Sequence, residues 1–141
     1  MIKKGSAVWK GNLKEGGGTI SSESGVLRNA PYGFKARFED GPGTNPEELI
    51  GAAHAACFSM ALSLGLANAG FTADSIQTEA AVRLEKVGDG FAITHSDLVC
   101  VASVPKIDDK TFQQIAEQTK SGCPVSKVLN AKISLSAKLT G

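Results

Sequence analysis

A long uncharged segment constrains the fold of this chain more than any other sequence feature. Between Leu49 and Ala73 there is no Asp, Glu, Lys or Arg residue. The segment exceeds the roughly 20 residues that a membrane-spanning helix needs, but it is mostly Ala, Gly and Ser, which contribute little to membrane insertion. We therefore expect no membrane partner and interpret the segment as the buried central helix of a soluble protein.

The residues on either side of this segment predict where the helix begins and ends. Asn45 suits the N-cap position, Pro46 suits the first turn, and Glu47 and Glu48 complement the partial positive charge of a helix N-terminus. Gly70 predicts that the helix ends just before it, because glycine readily adopts the left-handed conformation that closes many helices.

Two apolar stripes run side by side along the predicted helix. The first contains Leu49, Ala53, Cys57, Met60 and Leu64, and the second contains Ile50, His54, Phe58, Leu62 and Leu66. One small sheet covers only one side of a helix, so two stripes need a second covering surface. We therefore expect a homodimer in which the long helices pack together.

The rest of the chain predicts short strands before the helix and a larger set of elements after it. The alternation of Phe34, Ala36 and Phe38 predicts a strand over residues 33–39, with Arg37 on its opposite face. The elements predicted after the helix are strands over 75–87 and 91–104, helices over 108–120 and 124–130, and a strand over 133–139. This order favours an α+β fold, an antiparallel β-sheet with a long buried central helix, in a single domain spanning residues 1–141.

The charge pattern gives no support to a nucleic-acid partner. Fifteen basic and fourteen acidic residues leave a net charge of +1, and no basic tract is longer than Lys3-Lys4. The first residues lack the apolar core of a signal peptide, and none of the three cysteines forms a CxxC motif. We expect a cytoplasmic protein in a reducing compartment, where disulfides are usually transient and catalytic.

The three cysteines stand in contrasting sequence settings. Cys57 lies inside the apolar helix, where a free cysteine either packs as a small hydrophobic residue or acts as a buried redox thiol. Cys123 lies between Gly122 and Pro124 at the start of a predicted helix, where backbone N–H groups lower a thiol pKa. Cys100 lies in an apolar strand and is interpreted as a core residue. Cys57 and Cys123 are the candidates for a redox or nucleophilic pair.

Two further side chains have both a structural and a functional interpretation. Arg37 is either a solvated strand residue or a guanidinium that pairs with a buried thiolate and with peroxide oxygens. His54 lies three residues before Cys57 on nearly the same helical face, where it is either a hydrogen-bonded core residue or a base or ligand.

Other classes of function remain open on these residues alone. A metal-binding protein would use His54, Cys57, His95, Cys100 and Cys123, although no pair of them has the spacing of a zinc finger. A small-molecule-binding module would leave all three cysteines as inert core residues. A cysteine hydrolase is weaker, because neither histidine has an Asp or Asn beside it in the sequence to orient it.

Several motifs together resemble one known family. The helix from Asn45 to Leu62, NPEELIGAAHAACFSMAL, closely resembles the central helix of the OsmC family of osmotically inducible and organic hydroperoxide resistance peroxidases. Ser121 to Ser126, SGCPVS, resembles that family's second cysteine motif. The segments PYGFKARFE from Pro31 and GPGT from Gly41 are similar to the OsmC branch in particular, so the resemblance covers essentially the whole chain.

The resemblance implies both a fold and a chemistry. It implies an intertwined homodimer with active sites at the subunit interface, Cys57 as the peroxidatic thiol and Cys123 as the resolving thiol. Arg37 would stabilise the thiolate and orient the peroxide, and Glu47 would hold Arg37. The implied activity is reduction of organic hydroperoxides and hydrogen peroxide through a Cys57–Cys123 disulfide, with no cofactor and no metal, and with a dithiol reductant of lipoyl type.

The position of Glu47 adds one geometric expectation. Ten residues separate Glu47 from Cys57, which corresponds to roughly 15 Å along an unbroken helix. We therefore expect Glu47 to reach the Cys57 site across the dimer.

Overall fold

The computed structural model describes residues 1–140. The chain divides into two compact units, Met1–Leu49 and the residues from Ile50 onward. The long helix α2 (Pro46–Asn68) begins in the first unit and continues into the second.

The first unit contains a three-stranded antiparallel sheet in the order β1-β2-β3. Its strands are β1 (Gly5–Lys10), β2 (Gly17–Ser22) and β3 (Ala30–Tyr32). The rings of Trp9 and Tyr32 meet edge to face across this sheet with centroids 5.4 Å apart. After β3 the chain forms a short helix, α1 (Phe34–Phe38).

The strand predicted over residues 33–39 is wrong, because this segment forms α1. Alternating apolar residues at Phe34 and Phe38 are also four residues apart, so one helical turn places both on the same face. Their rings lie 4.9 Å apart. Asn45 holds the end of the helix by donating its side-chain amide to the Ala36 carbonyl at 2.9 Å. Five residues are too few for the apolar pattern to distinguish a strand from a helical turn.

The predicted boundaries of α2 are confirmed. The Asn45 side chain accepts a hydrogen bond from the Glu48 backbone N–H at 2.8 Å, as expected of an N-cap residue. The helix ends at Asn68, and Gly70 follows in the left-handed conformation with φ +89°. By length and composition alone, α2 would also qualify as a membrane-spanning helix, as the buried helix of a soluble protein often does.

The second unit contains a three-stranded sheet in the order β4-β5-β6 and two further helices. These elements are β4 (Ser75–Val87), β5 (Gly90–Ser103), α3 (Asp109–Gly122), α4 (Pro124–Val128) and β6 (Lys132–Thr140). Strands β4 and β5 form the predicted hairpin, with Val87 paired to Gly90 across the turn. Strand β6 is parallel to β5, with His95 opposite Lys132 and Ser103 opposite Thr140.

The α+β class with a long central helix is confirmed, but the expectation of a wholly antiparallel sheet is wrong. Helices α3 and α4 separate β5 from β6 and carry the chain back to the end where β5 starts. A strand that begins there runs in the same direction as β5, which is the usual consequence of a helical crossover. The sheet is therefore mixed.

One stripe of α2 is mostly buried in the single chain, and the other is partly exposed. Phe58, Leu62 and Leu66 are completely buried and belong to the core of the second unit, together with β5 and α3 residues such as Leu98 and Phe112. On the other stripe, Met60 is 77% exposed and Leu64 is 63% exposed. The single chain thus covers one apolar side of the helix and leaves part of the other uncovered.

Candidate active site

The structure brings the four predicted site residues together as two pairs. In the second unit, Cys57 and Cys123 approach each other across 66 residues of sequence, with their Sγ atoms 3.0 Å apart. In the first unit, Arg37 and Glu47 form an ion pair with Nε and Oε1 2.9 Å apart. Both cysteines are free thiols. A contact of this length needs only a small movement to become a disulfide, whose S–S length is about 2.05 Å.

The local fold places Cys123 at a junction of two helices. It is the C-cap residue of α3 and the N-cap residue of α4, and its backbone N–H donates to the Thr119 carbonyl at 2.9 Å. Pro124 begins α4 without a backbone N–H, and the next two backbone N–H groups, of Val125 and Ser126, lower the pKa of the Cys123 thiol. The Ser126 hydroxyl lowers the pKa of the same thiol.

These contacts give the two thiols opposite pKa shifts. Burial raises the pKa of Cys57, and the neighbouring Cys123 raises it further. Burial would also raise the pKa of Cys123, but the interactions with the Cys57 thiol, with Ser126 and with the Val125 N–H outweigh it and lower the pKa. Within the second unit, Cys123 is therefore the preferred site of the negative charge. A thiolate on Cys57 needs a cation beside it.

Arg37 has the properties of such a cation. Its Nε donates to Glu47, and its guanidinium lies 5.5 Å from the ring centroid of Phe38. Among the described residues the Arg37 side chain has no second hydrogen-bond partner, which leaves its terminal nitrogens available to a ligand. The other carboxylate oxygen of Glu47 is buried and has no partner among residues 1–140.

An apolar pocket of about 310 Å³ opens beside Arg37 in the first unit. Its lining residues are Trp9, Leu13, Tyr32, Gly33, Phe34, Arg37 and Phe38. A pocket with one cation and an aromatic lining suits a ligand that has a polar end and an apolar body.

His54 is part of a buried polar network that the sequence indicated only in part. The ring is completely buried, with Nδ1 2.6 Å from the Ser96 hydroxyl and Nε2 2.7 Å from the Ser126 hydroxyl. Burial lowers the pKa of His54. Its position near Cys57 on α2 was visible in the sequence. Ser96 carries no local signal, since it is 42 residues away along the chain and meets His54 only through the fold.

The remaining candidate residues are not gathered into a site. Cys100 is buried in β5, and burial raises its pKa. His95 contacts Thr94 and Glu85 instead of the thiols. Within residues 1–140, no three His, Cys, Asp or Glu side chains form a group that could hold a metal ion. The five ligands of the metal-binding interpretation are thus not brought together.

Comparison with known proteins identifies the family. The family model OsmC, described as OsmC-like protein, matches residues 39–138. The chain is 61% identical to Peroxiredoxin OsmC of Escherichia coli over 137 residues, which cover 97% of this chain and 96% of that protein. This chain belongs to the OsmC family. It is also 28% identical to Organic hydroperoxide resistance protein OhrB of Bacillus subtilis, over 86% of this chain and 88% of that protein.

Solved structures agree with this assignment. The crystal structure of OhrB of Bacillus subtilis matches with a TM-score of 0.70 and 27% identity, over 96% of this chain and 98% of that chain. An OsmC-like protein from Mycoplasma pneumoniae matches with a TM-score of 0.75 at 15% identity, over 100% of this chain and 99% of that chain, and supports the fold alone. The expected resemblance to the OsmC family is confirmed, with higher identity to the OsmC than to the Ohr relative.

Proposed function

We propose that this chain is a cysteine-based, thiol-dependent peroxidase that reduces organic hydroperoxides and hydrogen peroxide and protects the cytoplasm against oxidative and osmotic stress. The observation that carries the proposal is the 3.0 Å approach of Cys57 and Cys123, both free thiols. The names Peroxiredoxin OsmC and organic hydroperoxide resistance protein, which belong to its relatives, support the same class of activity.

The proposed reaction is a two-electron reduction of the peroxide by the thiol pair. The Cys57 thiolate attacks the terminal oxygen of ROOH, the O–O bond breaks, and the alkoxide leaves and is protonated to ROH. Cys57 is then a sulfenic acid. The Cys123 thiolate attacks its sulphur, the S–O bond breaks, and the hydroxide is protonated to water. Two thiols and ROOH thus give one disulfide, ROH and water, and a dithiol such as a lipoyl group restores the thiols.

The Arg37–Glu47 pair supplies the cation that the thiol pair lacks. Because Cys123 is the preferred site of charge in the second unit, a nearby guanidinium is needed to favour the thiolate on Cys57. Glu47 holds Arg37 through Nε, so the terminal nitrogens can face a thiolate or peroxide oxygens. The aromatic pocket beside Arg37 would take the apolar body of an organic hydroperoxide.

The proposed substrate class is tested by comparing peroxides. With dihydrolipoamide as reductant, we expect faster consumption of cumene hydroperoxide than of hydrogen peroxide, because only the former fills the apolar pocket. Replacing Phe38 by Ala should reduce this preference severalfold while leaving hydrogen peroxide reduction nearly unchanged. Failure of the wild-type chain to consume either peroxide with any dithiol would contradict the proposal.

The exposed stripe of α2 supports a homodimer. Met60 and Leu64 are large apolar residues left open in the single chain, and a second copy of the same helix would cover them. We expect Leu64→Lys to convert a dimer into a monomer, measured by light scattering at micromolar concentration. Val87→Lys is the matched control, since Val87 is 56% exposed in the β4–β5 hairpin. A wild-type chain that is a stable monomer would contradict the homodimer.

Mixing two inactive variants tests whether the Arg37–Glu47 pair serves the partner's Cys57. Glu47 and Cys57 are ten residues apart on the unbroken helix α2, roughly 15 Å along its axis. If the pair acts across the dimer, a heterodimer of Cys57→Ser and Glu47→Gln subunits contains one site with both wild-type residues. We expect such mixtures to recover activity that neither variant has alone. Confirmed heterodimers without recovered activity would show that each pair serves its own chain.

A metal-binding function is not favoured. Within residues 1–140, no three His, Cys, Asp or Glu side chains form a group that could hold a metal ion, and a relative carries a peroxiredoxin name.

A further inference from the structure

A row of buried polar side chains leads from β5 through α2 to the resolving thiol. Ser96 contacts His54 and His54 contacts Ser126, which lies three residues after Cys123 in the first turn of α4 and lowers the pKa of that thiol. Ser96 and His54 are completely buried, and Ser126 is 8% exposed. Buried polar groups are costly unless each donor meets an acceptor, so the direction of every hydrogen bond in this row is constrained.

A neutral imidazole at His54 requires one of the two serines to be a hydrogen-bond donor and the other an acceptor. Burial lowers the pKa of His54, so the ring is neutral near pH 7 and has one N–H donor and one lone pair. One serine must therefore donate to the ring, and the other must accept from it. The two possible tautomers place the single hydrogen of the Ser126 hydroxyl in different positions.

The tautomer of His54 decides what Ser126 offers to Cys123. If Nε2 carries the hydrogen, it donates to the Ser126 oxygen, and the Ser126 hydroxyl hydrogen is free to point at the sulphur. If Nδ1 carries it, the Ser126 hydrogen is drawn to Nε2, and the sulphur loses a donor. A hydrogen bond to a charged group is worth more than one between neutral groups, so a thiolate at Cys123 favours the first arrangement.

We propose that His54 is a positioning residue for the resolving cysteine: its Nε2–H donates to Ser126, which turns the Ser126 hydroxyl toward the Cys123 sulphur, while Ser96 donates to Nδ1 and fixes this tautomer. The inference rests on the proposed function, in which Cys123 attacks the sulfenic acid of Cys57. No proton crosses the row during that step. The S–S bond forms, the S–O bond breaks, and the leaving hydroxide takes its proton from solvent.

The other titratable groups near this row have partners of their own. Cys57 on α2 contacts Cys123 directly. On β5, Asp97 pairs with Arg83, and His95 bonds to Thr94. The charged residues of α3 and α4 closest to Cys123 in sequence are Lys120, which pairs with Glu117, and Lys127, which is exposed. Within the described residues, the groups that lower the pKa of Cys123 are therefore Cys57, Ser126 and Val125.

The first test is the tautomer itself. The chain has only two histidines, so the ¹⁵N shifts of His54 in the reduced full-length protein can be assigned with a His95→Gln variant. We expect a neutral ring with the hydrogen on Nε2 near pH 7. A ring with the hydrogen on Nδ1, or a doubly protonated ring, would overturn the proposal.

The second test measures the Cys123 titration by the ultraviolet absorbance of its thiolate. In the full-length chain carrying Cys57→Ser and Cys100→Ala, Cys123 is the single thiol. Removing a donor raises the pKa, so we expect Ser126→Ala and His54→Asn to move the midpoint to higher pH by about one unit. Ser126→Thr keeps the hydroxyl, and His54→Gln keeps an N–H donor at the position of Nε2, so both should stay close to the parent.

The Ser96→Ala variant tests how His54 affects the pKa of Cys123 while keeping the imidazole in place. Without the Ser96 donor to Nδ1, neither tautomer of His54 is favoured by this side of the ring. We therefore expect the midpoint of the Cys123 titration to move to higher pH by a smaller amount. Equal midpoints for Ser96→Ala and the parent, or equal shifts for His54→Asn and His54→Gln, would overturn the proposal. These titrations use no peroxide, so they can fail while the wild-type chain reduces peroxides, or succeed while it does not.

Discussion

Replacement of Cys57 by Ser is expected to abolish peroxide reduction, because no other thiol of the chain can form the first sulfenic acid. Cys123 is completely buried and Cys100 is buried in β5, whereas Cys57 is partly open. Loss of a catalytic nucleophile costs at least about 10³-fold in turnover in well-studied enzymes, and we expect a loss on this scale. The measurement is steady-state consumption of cumene hydroperoxide with dihydrolipoamide as reductant.

Cys100→Ala is the matched control for this experiment. It also removes a buried thiol of the second-unit core, but Cys100 is not one of the two sulphurs that contact each other. It should cost stability through a small cavity and leave turnover in the folded protein close to wild type. Activity retained in Cys57→Ser and lost in Cys100→Ala would place the reaction at a different cysteine.

Replacement of Cys123 by Ser is expected to stop the cycle after the first chemical step. The Cys57 sulphur loses its partner at 3.0 Å, so the sulfenic acid cannot close to a disulfide within the chain. We expect one equivalent of peroxide to be reduced and dithiol-dependent turnover to fall at least about tenfold, since an external thiol must then find a partly buried sulfenic acid. Rapid mixing with one equivalent, followed by steady-state assay, separates the two effects.

Excess peroxide is expected to over-oxidise Cys57 in the Cys123→Ser variant. Without a resolving thiol, the sulfenic acid of Cys57 is exposed to further oxidation to the sulfinic acid. Peptide mass analysis should find a gain of two oxygens on Cys57 in Cys123→Ser and a disulfide in the wild type. Undiminished turnover in Cys123→Ser would mean that Cys57 is reduced directly and that Cys123 has no resolving role.

The sequence predicted the long helix well because its signals are local. Asn45 at the N-cap, the uncharged run and Gly70 all act within a few residues, and the helix Pro46–Asn68 follows them closely. The two apolar stripes also predicted that a single sheet would not cover the whole helix, and Leu64 is exposed in the single chain. These features depend on helix period and capping chemistry, which a single sequence records directly.

The errors came from short or long-range features. The sequence predicts a strand around Arg37, but the segment forms a helix. Phe34 and Phe38 share one face in both structures, because a strand repeats every two residues and residues four apart are neighbours on a helix. The parallel pairing of β5 with β6 depends on where α3 and α4 return the chain, which no local pattern records. In either conformation, the sequence predicts Arg37 as a candidate partner of a thiolate, and the family resemblance implies Glu47 as its carboxylate partner.

The site residues were only partly accessible to sequence reasoning. Cys57 and Cys123 stood out by their settings, but their 3.0 Å contact across 66 residues is a product of the fold. Ser96 and Ser126 were not identified, because a serine in a strand or at a helix start is ordinary until its partner is known. Their link through His54 became visible only when the fold brought three distant segments together.

The most direct test of the central claim is the intact mass of the reduced protein after one equivalent of cumene hydroperoxide, with Cys57→Ser alongside. We predict a loss of roughly 2 Da, the two thiol hydrogens, mapped to a Cys57–Cys123 disulfide and absent from the variant. An unchanged mass with the peroxide unconsumed would contradict the account, because two reduced thiols 3.0 Å apart would then have met an oxidant without reacting.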